Sequence, residues 1–300
     1  MDDTQLLTHF RSMEIQTRYM ELYDRELEAW PGDLAGRYVD TEFGATFVIE
    51  CGNRSAPPLV LFHWFSYSST IWGPMIPFLA DRFHIFAVDV IGDMGRSNAV
   101  VPPETEERLA EWGEQVITGL GMEHVQMVGF SNGGFTAAVI ARERPEMVDR
   151  LVLLSPAATI DRFSLVFFST VVRTALFTNQ RNIERFKRRF TFYPQRWTAS
   201  MEEMLRLAFA GSQIQVMVWP RPFTDEELGQ LSMPTMLLVG AQENIYRSRA
   251  PQDRFERFVP DGRVVVLDRC RHAITLDQPA AAAAAIAGFL SDAAIERRSP

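Results

Sequence analysis

The chain has 300 residues, 47% hydrophobic and 23% charged, a globular composition of a size for one α/β domain carrying an insertion. Its net charge of −8 argues for solubility and against a nucleic-acid footprint, and no apolar run approaches membrane-spanning length. The two cysteines, Cys51 and Cys270, lie far apart, which reads as a reduced protein without a disulfide.

In chain order, the acidic start shows no basic-then-apolar secretory pattern, so the expected location is the cytoplasm. Leu6 to Leu27 carries apolar residues at three- and four-residue steps and predicts an N-terminal helical arm over 1–30, broken at Trp30-Pro31-Gly32-Asp33. RYVDTEFGATFVIECGN predicts a hairpin turning at Gly44. PPLVLFHW, FHIFAVDVIG, EHVQMVGF, VDRLVLLSP, MPTMLLVGA and GRVVVLDR are continuous apolar strands of the kind buried on both faces of a parallel sheet. Helical patterns fall between them at 71–80, 104–120, 134–144 and 249–258, and an alanine-rich helix spans 280–289. Strand alternates with helix, so the fold class is α/β, a doubly wound, mostly parallel sheet.

One stretch breaks the alternation. Residues 157–222 carry helical patterns rich in aromatics, among them Phe163, Phe167 and Trp219. They read as a helical cap over the C-terminal edge of the sheet, where open α/β folds bind ligands. The core is then 31–156 and 223–300. The basic run Arg185-Phe186-Lys187-Arg188-Arg189 reads as a solvated helix face; Lys187 is the single lysine, and the arginine and alanine usage hints at a GC-rich bacterial genome.

Gly129-Phe130-Ser131-Asn132-Gly133 fits G-x-S-x-G between a strand and a helix, the context in which a serine is held exposed in a strained turn. The Asn132 N–H, at the helix N-terminus, is placed to bind a developing oxyanion. A serine hydroxyl needs a base. Of five histidines, His9, His84 and His124 read as surface or structural, whereas His272 follows the last strand and can reach over Ser131. The acid that orients it belongs at the end of MPTMLLVG, where Glu243 stands. Asp161 is a rival position, and Asp268 reads as polar decoration of a strand end.

With these residues in place the sequence resembles the α/β-hydrolase superfamily, and within it a bacterial carboxylesterase-like branch, from about Trp30 to Phe289. VDVIGDMGRSN, FTDEEL, ENIY and HAITLDQP also look like that branch. The resemblance implies acyl hydrolysis with no cofactor and no metal. It implies a structural His63 and the Phe65 N–H as second oxyanion donor. Two departures stand out: Trp64 replaces the glycine usual after that histidine, and Arg271 replaces the glycine before the base. Trp64, Phe130, Phe163, Phe167 and Trp219 are the expected pocket residues, and the expected partner is a moderately large apolar small molecule, with a homodimer left open. The alternatives are a biosynthetic enzyme using the same pocket for cyclisation, lyase or transacylation chemistry, and a non-catalytic binding protein.

Overall fold

A computed structural model describes residues 6–213, 218–247 and 251–291. The chain begins with α1 (Met13–Leu27), whose first turn is capped by the Ser12 side chain. The hairpin β1 (Ala35–Thr41) and β2 (Gly44–Gly52) follows. β3 (Pro58–Phe62), α2 (Ile76–Leu79), β4 (His84–Val88), β5 (Asn98–Ala99), α3 (Glu106–Gly119), β6 (Val125–Phe130), α4 (Asn132–Glu143) and β7 (Val148–Leu154) come next. Three helices then intervene, α5 (Leu165–Leu176), α6 (Gln180–Phe190) and α7 (Ala199–Gly211). The chain closes with α8 (Asp225–Gly229), β8 (Thr235–Gly240), α9 (Pro251–Phe258), β9 (Gly262–Leu267), α10 (Ile274–Asp277) and α11 (Pro279–Ser291).

The sheet runs β1-β2-β4-β3-β6-β7-β8-β9, with β5 paired to β2. The pairings among β4, β3, β6, β7, β8 and β9 are all parallel, and every antiparallel pairing involves β2, with β1, β4 or β5. The central runs are apolar and buried because both faces are covered: α3 and α4 pack together, and α2 packs against α11. The chain steps from β3 outward to β4 and from β6 the other way to β7. The C-terminal ends of β3 and β6 therefore flank a switch point, where an open α/β sheet leaves a crevice.

Some details differ from the sequence reading; the helix expected from Leu6 begins only at Met13, after the Ser12 cap. The helix expected over 71–80 divides into a single turn, Ser69–Trp72, and α2, because Pro74 and Pro77 remove donors from the continuous ladder. β5 is two residues long, too short to leave a period. Residues 249 and 250 of the expected 249–258 helix lie outside the described residues. Cys51 and Cys270 are both buried and free, and no helix among the described residues is long and apolar enough to cross a membrane.

The α5–α7 segment is tied to the C-terminal end of the sheet. The Ser164 N–H donates to Ile245 O at 2.6 Å, and Phe163 bridges Tyr246. The N-terminal arm reaches both parts. Arg18 grips both carboxylate oxygens of Glu203 on α7 at 2.9 and 2.7 Å, and the Tyr23 hydroxyl donates to Asp89, after β4, at 2.9 Å. His9 is buried with Nε2 donating to Gly95 O; burial lowers its pKa to about 4, so it is a neutral structural side chain.

Candidate active site

The short turn between β6 and α4 holds Ser131 at φ 53° and ψ −114°, a conformation that non-glycine residues avoid. Its neighbours explain why the chain tolerates the strain. A Cβ on Gly129 would sit 2.2 Å from Gly133 O, and one on Gly133 would sit 2.1 Å from Phe62 O, so only glycines let helix, strand and β3 meet this closely. The Ser131 backbone is pinned as well: its N–H donates to Leu154 O, and its carbonyl accepts from Phe135 and Ala157.

The loop after β9 brings His272 over this turn. Its Nε2 lies 2.9 Å from Ser131 Oγ, and its Nδ1 lies 3.1 Å from Glu243 Oε2 at the end of β8. Both His272 and Glu243 are buried. The other Glu243 oxygen accepts the N–H groups of Asn244 and Ile245 at 2.7 and 3.1 Å. Burial pushes the Glu243 carboxyl up, but His272 and these contacts outweigh it, and the group ends below its ordinary value. A carboxylate that stays ionised fixes the tautomer of the imidazole and leaves Nε2 facing the serine. Of the rival acids, Asp161 accepts the Arg162 N–H, and Asp268 is exposed.

The two backbone N–H groups expected to face an oxyanion lie at the ends of β3 and β6. Asn132 opens α4 and Phe65 follows β3; no partner within the described residues takes either N–H. The Phe65 loop is held by Asp93, whose carboxylate accepts the N–H of Ser66, at φ 60°, and of Met94. Asp93 is fully buried, and that burial raises its pKa well above the ordinary value. His63 is structural: its Nε2 accepts the Val90 N–H at 2.9 Å, so its Nδ1 carries the hydrogen donated to Trp64 O at 2.7 Å. Burial lowers its pKa and keeps it neutral.

A cavity of about 550 Å³ opens above Ser131 and Asn132, walled by Phe65, Phe163, Phe167, Phe209 and Trp219. Trp64 and Phe130 are not among its lining residues. The Trp64 indole lies nearly parallel to the His272 ring, 13° off at 6.2 Å, and stacks on Phe130 at 5.1 Å and Trp197 at 6.0 Å. It backs the imidazole and does not face the space beside it, because Tyr67, Phe130 and Trp197 enclose it on its other sides. Arg271 points away from the imidazole: its guanidinium donates to Arg188 O at the end of α6 and lies over the Phe192 ring.

Two residues around the site carry no separate mention in the sequence reading. Asp93 sits in VDVIGDMGRSN and Asp277 in HAITLDQP. The Asp277 carboxylate accepts the N–H groups of Arg271, Phe192 and Tyr193 at 2.8–3.0 Å, joining the His272 loop to the end of α6. The signal available to find them was an acid inside an apolar stretch, which implies a buried carboxylate in need of donors.

A switch-point serine bonded to a histidine and backed by a carboxylate, on a mostly parallel sheet, is the architecture of a hydrolase. A family model described as the alpha/beta hydrolase fold matches residues 57–279, and the chain belongs to that family. Within it the chain is carboxylesterase-like. The uncharacterized carboxylesterase nap of Bacillus subtilis (strain 168) is 32% identical over 276 residues, covering 87% of this chain and 88% of that protein. Carboxylesterase YbfK of the same organism is 30% identical over 277 residues, covering 90% and 92%. The crystal structure of naproxen esterase (carboxylesterase NP) from Bacillus subtilis matches with a TM-score of 0.86 at 30% identity, covering 92% of this chain and 98% of that one.

Proposed function

We propose that the protein is a serine carboxylesterase that hydrolyses a moderately large apolar ester, lactone or related acyl compound through Ser131, His272 and Glu243. The observation that carries this reading is the hydrogen-bonded line from Ser131 Oγ through His272 to Glu243 at the floor of an aromatic cavity. Ser131 Oγ attacks the acyl carbon as His272 Nε2 takes its proton. The carbonyl oxygen gains negative charge and accepts hydrogen bonds from the Asn132 and Phe65 N–H groups. Each such donor is worth about 2.7–4 kcal/mol in the transition state. The C–O bond then breaks, and the leaving alkoxide takes the proton from His272. Water enters, gives its proton to His272 and attacks the acyl-serine, and the released Ser131 oxygen recovers a proton as the acid departs.

Residues 157–222 act as the cap in this reading, with Phe163, Phe167 and Trp219 receiving the acyl or alcohol group. Trp64 and Phe130 contribute by holding the imidazole. The test is turnover on a series of p-nitrophenyl esters. Hydrolysis by the folded wild type that vanishes in folded Ser131→Ala supports the reading. Equal hydrolysis by both proteins overturns it.

A further inference from the structure

The outer side of the α5–α6 hairpin carries two features that the chemistry above does not use. Leu165, Phe168, Leu176 and Phe177 are 87%, 61%, 70% and 63% exposed. With Val172, the first three form a stripe at three- and four-residue steps along α5. Trp219, 69% exposed, stands at the cavity. Phe168, Val172 and Trp219 also line that cavity, so the exposed apolar surface and the space above Ser131 share walls.

Beside the stripe lies an open hollow of about 800 Å³ lined by Arg181, Arg185, Arg188, Arg189 and Arg271. Among the described residues none of these five guanidinium groups pairs with a carboxylate. The one acid in the hollow, Glu184, is held by Lys187 at 2.8 Å. The hollow is thus basic within a chain of net charge −8. Asn244 joins the two features. It lines the hollow, its carbonyl accepts from the Ser164 hydroxyl that caps α5 at 2.7 Å, and its amide donates to Arg189 O at 2.7 Å.

We propose that this face docks on an anionic lipid surface, with the α5 stripe and Trp219 entering the acyl boundary and the arginines of α6 meeting lipid phosphates. An apolar stripe next to a basic helix is the composition of an interfacial anchor, and guanidinium forks match phosphate oxygens in pairs. A second copy of the chain is the poorer occupant: a two-fold contact centred on this face would bring the two arginine hollows toward each other. A free phosphate would leave the apolar stripe without a role. Docking in this pose turns the cavity wall at Phe168 and Trp219 toward the lipid, from which an apolar ester can enter without crossing water. The surface stands apart from the hydrolytic reading, because lipid binding is measured without turnover.

The test is co-sedimentation of the full chain with vesicles of phosphatidylcholine alone and of phosphatidylcholine mixed with phosphatidylglycerol. Binding is expected to the mixed vesicles only and to weaken as salt rises. Each basic residue at an anionic surface contributes roughly a fivefold gain in partition, so Arg181→Gln/Arg185→Gln/Arg188→Gln should lose roughly a hundredfold. Leu165→Ser/Leu176→Ser/Phe177→Ser should also release the protein, while hydrolysis of a water-soluble ester stays at the wild-type rate in both triple variants. If the apolar variant does not fold, the arginine variant and the salt series on wild type decide. No sedimentation with anionic vesicles at low salt overturns the proposal, as does binding unchanged by the arginine variant. A wild-type dimer that the apolar variant splits, without vesicle binding, assigns the face to a second copy instead.

Discussion

Glu243 is the residue whose role the geometry defines most narrowly. It is buried, bonded to His272 Nδ1 at 3.1 Å, and held ionised by contacts that outweigh its burial. Glu243→Gln keeps the shape and removes the charge that stabilises an imidazolium, so turnover should fall by about three to four orders of magnitude with the thermal melt little changed. Near-wild-type turnover in the folded variant would move the acid elsewhere. Trp64 is a residue of the other kind. The sequence marks it as a departure at the mouth of the oxyanion loop and so as a wall of the pocket. In the structure it lies behind the imidazole, stacked on His272, Phe130 and Trp197. Trp64→Gly should therefore cost about 3–5 kcal/mol of stability, as large buried deletions do. Turnover should drop as His272 loosens, and the ranking of short against long acyl esters should stay the same. A changed ranking at unchanged stability would return Trp64 to the pocket wall. The difference between the two readings is one of direction: position in the chain places an indole near the site, but only the rings around it decide which way it faces.

At the scale of elements, two polar clusters hold the inserted helices to the sheet. Asp277, in α10, accepts three backbone N–H groups from the His272 loop and from the chain leaving α6. Asp277→Asn would turn an amide NH₂ toward these donors, and each buried N–H left unpaired costs about 1–3 kcal/mol. Urea unfolding should show a loss of that size, and a variant as stable as wild type would contradict the clamp. The second cluster joins Glu106 of α3, Arg142 of α4, Arg221 and Glu227 of α8, where the chain returns from the inserted helices. The Arg221 hydrogen bonds hold the Glu227 carboxyl down at about 2 against an ordinary 4.5. A depressed carboxyl stabilises the fold fully above its unfolded pKa and loses that contribution as pH falls through the folded one. The melting gap between wild type and Glu227→Gln should thus be constant above pH 4.5 and close between 4.5 and 2; a gap that persists at the acid end would contradict the pairing. The strands and most helices were legible because their apolar runs are long. The hairpin at Gly44 and the mostly parallel character of the sheet followed from pattern alone. β5 was not legible because two residues have no period, and the apolar spacing over 71–80 reads as one helix although Pro74 and Pro77 divide it. α8 was legible in principle: Thr224 and Glu227 form a capping box three residues apart.

For the whole molecule, chain order and topology suffice to bring Ser131, Glu243 and His272 to one edge, since each follows the C-terminal end of a strand in β6, β8 and β9. That much is readable in the sequence, because a parallel sheet delivers all its strand ends to the same side. What the sequence did not reveal was how the remaining polar groups serve that edge. Asp93 and Asp277 act through backbone donors that only the fold brings near, and the arginines of α6 read as solvated charge, their shared hollow being a product of the fold. The α1 arm was legible as a helix but not as a brace, because its partners Glu203 and Asp89 are distant in sequence. The central claim is that Ser131 is the nucleophile of this esterase-like enzyme. The most direct measurement is intact-mass analysis after exposure to a fluorophosphonate. Wild type should gain one phosphonyl group, mapped to Ser131, and folded Ser131→Ala should gain none. Labelling that persists in the variant, or a wild type that stays unlabelled, would contradict the claim.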